Sequence, residues 1–278
     1  MDSWGDRRSG GSTVRERVSP RKDRGMRLQD RVALVTGGSG GIGSAICLGL
    51  ADEGADVIVH YGRNEAVAHH VAGKIEGKGR RALAVSADLT RPADVERLVA
   101  TVTDRFGRID ILVNAAGVIV YKEFFDLTAE DIDRMLAANI KGVFLPSQAV
   151  ASVMRAQGGG KIVTVASYSS VLIPNLKAIG YAASKGGVLQ LVRGMAKALG
   201  PYNIYSNCVM PGTIVTELNR DFLAEPGVAD SILDVTPLGR LGYPPDVVGA
   251  VIYLASQESN WTTGAALLID GGRGAEGR

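Results

Sequence analysis

The chain has 278 residues, of which 46% are apolar and 22% charged, with a net charge of +2. That composition suits one large α/β domain with a buried core. It shows no basic excess of the kind nucleic acid requires, and no apolar run reaches the length of a membrane span. The surplus charge sits at the start, where residues 1–25 carry seven basic and four acidic side chains. They lack a signal peptide's apolar stretch and are read as a disordered tail, or as sequence ahead of a translation start at Met26. Residues 26–278 are read as a single domain. Cys47 and Cys208 offer neither metal-ligand spacing nor a disulfide framework, which points to a reducing, cytoplasmic setting and no metal.

In chain order, the sequence predicts strand 32–36, helix 42–53, strand 56–60, helix 65–77, strand 81–85, helix 91–106 and strand 109–113. It continues with helix 128–156, strand 161–166, helix 180–199, strand 204–209, helix 245–256 and strand 266–269. Short β-branched runs alternating with amphipathic stretches predict a single doubly wound Rossmann-type α/β domain. Its seven-stranded parallel sheet is flanked by six main helices. The stretch 212–244, with Pro226, Pro237 and Pro244, is less regular and is read as a substrate loop or lid. Trp261 is expected to pack beside the last strand. His60, His69 and His70 lack metal-ligand spacing, so a catalytic histidine is not expected.

The first strand runs into Gly37, Gly38, Ser39, Gly40, Gly41, Ile42 and Gly43, and a helix follows. Glycines allow a sharp turn and close approach to a pyrophosphate, which the free N–H groups of the helix start then meet. At the end of the second strand an NAD-binding protein places a carboxylate against the ribose. Here the stretch reads His60, Tyr61, Gly62, Arg63, Asn64, with Tyr61 at the expected acidic position. Arg63, with Asn64 and Ser39, suits a 2′-phosphate instead, so NADP(H) is favoured and NAD(H) stays open.

Tyr181 and Lys185 stand at i and i+4, on one face of a predicted helix. Hydride transfer to a carbonyl needs a proton donor, and the reverse reaction needs a base. A free phenol titrates near ~10, and a nearby ammonium would favour its ionised form.

Taken in order, these motifs resemble the short-chain dehydrogenase/reductase family over about residues 27–272. The loop matches its T-G-x-x-x-G-I-G pattern, although Gly40 stands where many NADP-preferring relatives carry a basic residue. The resemblance implies that Asp88 and Leu89 lie at the adenine. It places Asn114, Ala115, Ala116 and Gly117 along the cofactor, with Ala115 in place of the family's second Asn. It also implies that Pro211, Gly212, Ile214 and Thr216 cover the nicotinamide half. Tyr181 becomes the acid/base, and Lys185 holds the nicotinamide ribose. Ser167 polarises the substrate oxygen, with Ser169 as fallback and Ser170 as a turn residue. Asn139 binds water and extends a proton relay through Lys185.

The implied activity is hydride transfer between NAD(P)(H) and an alcohol or carbonyl. Relatives form tetramers, so a homotetramer or homodimer is expected. The run 207–219 resembles sugar dehydrogenases of that family, including those that oxidise L-rhamnose at C1. A 3-oxoacyl carrier-protein reductase is the neighbouring enzyme reading. A non-catalytic NADP-binding regulator is the reading from another class, although it would have no need to keep Asn139, Ser167, Tyr181 and Lys185 together.

Overall fold

Alternate residues of the first strand face opposite sides of the sheet, and both sides are covered. In a computed structural model describing residues 25–275, β1 (Val32–Thr36) is buried along its whole length. Ala33 and Val35 join one core; Val32 and Leu34 join the other. Such continuous apolar runs are what a parallel strand between two helical layers requires. The proposed boundary of the tail, at residues 1–25, lies almost entirely outside the described residues.

Six further strands complete the sheet: β2 (Asp56–Tyr61), β3 (Ala82–Ser86), β4 (Ile111–Asn114), β5 (Gly160–Val165), β6 (Ile204–Pro211) and β7 (Ala266–Ile269). Their order is β3-β2-β1-β4-β5-β6-β7, and every pair is parallel. One face is covered by α1 (Gly41–Asp52), α2 (Glu65–Glu76) and α9 (Pro244–Ala255), through Ile46, Leu50, Ile75 and Val251. The other is covered by α3 (Pro92–Phe106), α5 (Gly142–Ala156) and α6 (Ile179–Leu199), through Leu98, Met154, Val188 and Val192. The winding direction reverses between β1 and β4. Crevices at the carboxyl ends of strands at such a switch point are where α/β folds bind ligands.

The predicted helix 128–156 is broken. It opens as α4 (Ala129–Leu136), whose N-cap Thr128 and third residue Asp131 form a reciprocal capping box. A π-turn follows over Ala137–Lys141, and α5 resumes at Gly142. The stretch 212–244 also differs from its irregular reading, since it contains α7 (Arg220–Leu223) and α8 (Val228–Asp234). The described residues therefore hold nine α-helices rather than six. Trp261 does not pack: it is fully exposed in the single chain. Among the described residues, no helix is long and apolar enough to cross a membrane.

Candidate active site

The glycine loop is shaped by two neighbours. Gly37 has φ +66°, and a Cβ there would lie 2.8 Å from Cα of Ala116. A Cβ at Gly43 would meet the Gly37 carbonyl oxygen at 2.1 Å, and one at Gly41 would meet Cγ2 of Thr216 at 2.8 Å. Only glycine fits such approaches. The loop is held from below by His60, which accepts the Gly37 N–H through Nδ1 at 3.0 Å, while its backbone carbonyl accepts from Gly38. α1 then starts at Gly41 with no side-chain cap and no acidic residue in its first turn. Its first N–H groups and the positive end of its dipole are left for an anion.

In front of the loop lies a cleft of about 910 Å³. It is lined by Gly37, Ser39, Gly41, Ile42 and Gly43 at the loop, Arg63 and Asn64 after β2, Asp88 and Leu89 after β3, Ala115, Ala116 and Gly117 after β4, and Thr216. The structure thus gathers thirteen sequence-predicted cofactor residues along one wall. Arg63 is exposed. Asp88 takes the N–H and hydroxyl of Thr90 on one carboxylate oxygen, and these bonds hold its pKa below the usual range. Size, glycine backbone and uncapped helix end all fit an extended dinucleotide.

Two of the predicted cofactor residues, Tyr61 and Asn114, line neither this cleft nor the cavity beyond it. Tyr61 donates its hydroxyl to Glu65 at 3.1 Å. Asn114 is buried, and its Nδ2 donates to Ser147 at 3.0 Å and to Thr164 at 3.4 Å, tying β4 to α5 and β5. His60, Gly62, Thr90 and Arg97 line it as well, although the sequence reading had not selected them.

The cleft continues into a second cavity of about 420 Å³ that holds Ser167, Tyr181, Lys185, Pro211, Gly212 and Ile214. Ile42, Ala115, Gly117 and Thr216 border both spaces. Ser167 ends β5's extension, accepts the Ser169 N–H at 3.1 Å, and hydrogen-bonds the Tyr181 phenol. The phenol's side-chain partner is Ser167, and the Ser170 hydroxyl is buried without a partner. Lys185 is buried, donates to the Val165 carbonyl at 2.9 Å, and stands 5.7 Å from the Tyr181 ring centre.

Here the structure departs from the expected electrostatics. Burial pushes the Tyr181 phenol up to about 12, against a lowering by the Ser167 bond, and burial pulls Lys185 down to about 8. Desolvation by burial is the largest influence on the phenol, larger than the Ser167 bond that opposes it. Phe222 of α7 stacks on Tyr121, ring centres 4.4 Å apart and 10° from parallel, and Glu225 pairs with Lys177 at 3.4 Å.

Asn139 sits in the π-turn with no solvent exposure. Its Oδ1 accepts the Val118 N–H at 2.8 Å, and its Nδ2 donates to the Val118 carbonyl and to Ser184 Oγ, both at 2.9 Å. Ser184 in turn donates to the Tyr181 carbonyl at 2.7 Å. The side chain therefore ties the segment after β4 to the helix that carries Tyr181, and its polar atoms are engaged in these bonds.

A family model described as enoyl-(acyl carrier protein) reductase matches residues 37–273. The chain is 40% identical over 246 residues to an L-rhamnose 1-dehydrogenase (NAD(P)(+)) of Sphingomonas sp. (strain SKA58), a match covering 88% of this chain and 96% of that one. It is 36% identical to a 3-oxoacyl-[acyl-carrier-protein] reductase of Synechocystis sp. (strain ATCC 27184 / PCC 6803 / Kazusa), covering 88% and 97%. Among solved structures, a gluconate 5-dehydrogenase from Burkholderia cenocepacia J2315, in complex with NADP and tartrate, superimposes with a TM-score of 0.86 at 36% identity, covering 91% of this chain and 98% of that one. With its glycine loop, parallel sheet and tyrosine–lysine helix now placed in space, the chain belongs to the short-chain dehydrogenase/reductase family.

Proposed function

We propose that the protein is an NAD(P)(H)-dependent oxidoreductase acting on a CH–OH group or its carbonyl form in a sugar or small polar molecule, with Tyr181 as acid/base. The observation that carries this reading is the meeting of two spaces: the dinucleotide cleft opens directly into the cavity where Ser167 bonds the Tyr181 phenol. When bound, a nicotinamide cofactor supplies or accepts the hydride. The start of α1 would hold its pyrophosphate. Asp88 and Leu89 would border the adenine, and Lys185 would hold the ribose next to the nicotinamide. Exposed Arg63, with Ser39 and Asn64, would take a 2′-phosphate, which favours NADP(H).

The chemistry left to the chain is proton transfer and polarisation. The Ser167 hydroxyl donates to the substrate oxygen. Tyr181, held as a neutral phenol by burial, gives its proton to that oxygen in reduction, and in oxidation its ionised form takes the proton from the alcohol. The relative named as an L-rhamnose 1-dehydrogenase supports a sugar substrate. The match to the Synechocystis reductase supports the second reading, a 3-oxoacyl carrier-protein reductase.

We also infer a homo-oligomer, a tetramer or a dimer. The outer faces of α5 and α6 leave an apolar groove bounded by Phe144, Leu191, Met195 and Tyr202, and Phe144 is 45% exposed. The free, buried thiols of Cys47 and Cys208 suit a reducing, cytoplasmic setting.

The first test is titration with NADPH and NADH by nicotinamide fluorescence, followed by turnover on sugars, small ketones and 3-oxoacyl thioesters. Cofactor binding with turnover of sugars supports the reading, and turnover of thioesters alone selects the second one. Failure to bind either cofactor would overturn both.

A further inference from the structure

The proton-transfer groups leave one cation of the substrate cavity without a task. Four charged side chains line that cavity: Lys177, Lys185, Glu225 and Arg273. Lys177 and Glu225 pair with each other, and Lys185 is buried against the Val165 carbonyl. Arg273 arrives from the turn after β7, where Gly271 and Gly272 have φ +68° and +90°. Asp270, the carboxylate nearest to it in sequence, forms no ion pair with it: its two oxygens accept the N–H groups of Gly272 and Gly274. The Gly271 carbonyl accepts from Leu238, so the turn is pinned to the lid. Arg273 lies over the Tyr168 ring, 5.2 Å from its centre, and Nη1 donates to Thr213 Oγ1 at 3.3 Å. Among the described residues it is the cavity cation with no carboxylate partner and no backbone carbonyl.

A second observation points into the same space. Asn175 lines the cavity, and its Oδ1 accepts the Lys177 N–H at 2.9 Å. Its Nδ2 is buried and has no partner in the protein. A buried amide donor without a partner carries an uncompensated desolvation cost, so a ligand oxygen at this position would restore what the fold leaves open.

We propose that Arg273 and Asn175 select an acidic polyol: a sugar acid whose carboxylate is held by the Arg273 guanidinium while a chain oxygen accepts from Asn175. A planar guanidinium matches a carboxylate with two parallel hydrogen bonds. A single unpaired cation balances one negative charge, which favours a carboxylate over a doubly charged phosphate. The aromatic rings of Tyr168 and Tyr121 and the Thr213 hydroxyl give the amphipathic wall a polyol chain needs. The assignment rests on the oxidoreductase reading of the same site. In the redox step a secondary alcohol loses a hydride to the nicotinamide and a proton to the ionised Tyr181 phenolate, which becomes the neutral phenol; the carboxylate is unchanged.

The test compares matched six-carbon pairs that differ at one end only, such as D-gluconate and D-glucitol, together with hexose phosphates, using the full chain with NADP and NAD. Wild type, Arg273→Leu, Arg273→Lys and Asn175→Leu are each measured for kcat and KM. Aldonate binding in the presence of cofactor is measured by calorimetry. Wild type is expected to favour the acid at least 30-fold in kcat/KM. Arg273→Leu should collapse that preference at least 30-fold, through KM rather than kcat; Arg273→Lys should restore part of it, and Asn175→Leu should weaken aldonate binding independently.

Preference for the neutral polyol, an acid preference that survives Arg273→Leu, or preference for hexose phosphates overturns the assignment while leaving the oxidoreductase reading standing. Arg273-dependent aldonate binding without turnover of any substrate supports the assignment and overturns that reading. Neither turnover nor Arg273-dependent binding overturns the assignment.

Discussion

His60 joins Gly37 to the end of the neighbouring strand: its Nδ1 accepts the Gly37 N–H and its Nε2 faces the Ala87 carbonyl, each at 3.0 Å. The first contact requires a bare Nδ1 and the second a proton on Nε2, so the ring is neutral, and burial keeps its pKa below the usual value despite the Ala87 bond. Gly37 and His60 are 23 residues apart in sequence, yet the glycine loop that faces the dinucleotide cleft rests on this ring.

Loss of the ring strands a backbone donor and a backbone acceptor. His60→Ala is expected to cost about 1–3 kcal/mol of stability at pH 7.5 and to weaken dinucleotide binding. The pH dependence follows from the depressed pKa. Above ~6.5, folded and unfolded histidine are both neutral and the full contribution is present. As pH falls, the unfolded chain takes up the proton first, and the contribution fades as pH passes through the lower folded value. Urea unfolding at pH 7.5 and pH 5 should therefore show a smaller deficit for His60→Ala at the lower pH. An equal deficit at both would assign the titration to another group.

Tyr181→Phe removes the proposed proton donor while keeping the ring. A fall in kcat of about 10²–10⁴-fold is expected, with dinucleotide affinity within about threefold of wild type by the order-of-magnitude standard of such comparisons. Because burial holds the phenol up to about 12, carbonyl reduction should persist at neutral pH and decline in alkali, whereas oxidation should rise with pH. Steady-state pH profiles in both directions check this, and a variant retaining wild-type kcat would remove Tyr181 from the chemistry.

Arg63→Ala tests cofactor choice. Loss of charge-assisted bonds of about 1.5–3 kcal/mol corresponds to a roughly 10–150-fold weaker Kd for NADPH. NADH, which has no 2′-phosphate, should lose far less. Parallel losses for both cofactors in fluorescence titrations would leave Arg63 as a solvated loop charge.

Asn139→Ala leaves the Val118 N–H and carbonyl, and the Ser184 hydroxyl, without their partner. A loss of about 2–4 kcal/mol by denaturant unfolding is expected from unmet buried groups. A loss of turnover with no change in stability would instead favour the relay role read from the sequence.

Gly194→Arg places a long charged side chain in the apolar groove of α5 and α6. A Cβ there meets nothing within 4 Å, and Arg is a better helix former than Gly, so the protomer fold should tolerate it. Light scattering is expected to show a smaller assembly than wild type. An unchanged mass would place the subunit contact elsewhere.

The strand and helix positions were legible because burial on both sides of a parallel sheet writes continuous apolar runs, and Tyr181 and Lys185 share a face by spacing alone. What escaped lies in contacts between distant segments. The 3.6-residue period cannot show the extra residue of a π-turn when the apolar pattern resumes beyond it. The seat of His60 under Gly37, and the arrival of Arg273 at the cavity from the far end of the chain, depend on chain crossings that no local pattern encodes. The electrostatics at Tyr181 failed for a related reason: i, i+4 spacing places a lysine nearby, but the burial of the phenol in the folded chain, which spacing does not encode, decides the outcome.

The widened turn at Ala137–Lys141 separates two duties along one helical rod. Upstream and within it, Asn139 reaches Val118 and Ser184; downstream, Ser147 accepts the Asn114 amide beneath the sheet. A π-turn holds one residue more than the α-turn it replaces, so removing one residue here would join α4 and α5 as one regular helix and turn the Asn139 position by about 100° around it. Ser147 would keep its place against Asn114, but Asn139 would lose Val118 and Ser184. The odd residue aims one amide without disturbing the helix on either side, and it makes this stretch of chain intolerant of a single-codon deletion, even where neighbouring substitutions on the outer face would pass unnoticed.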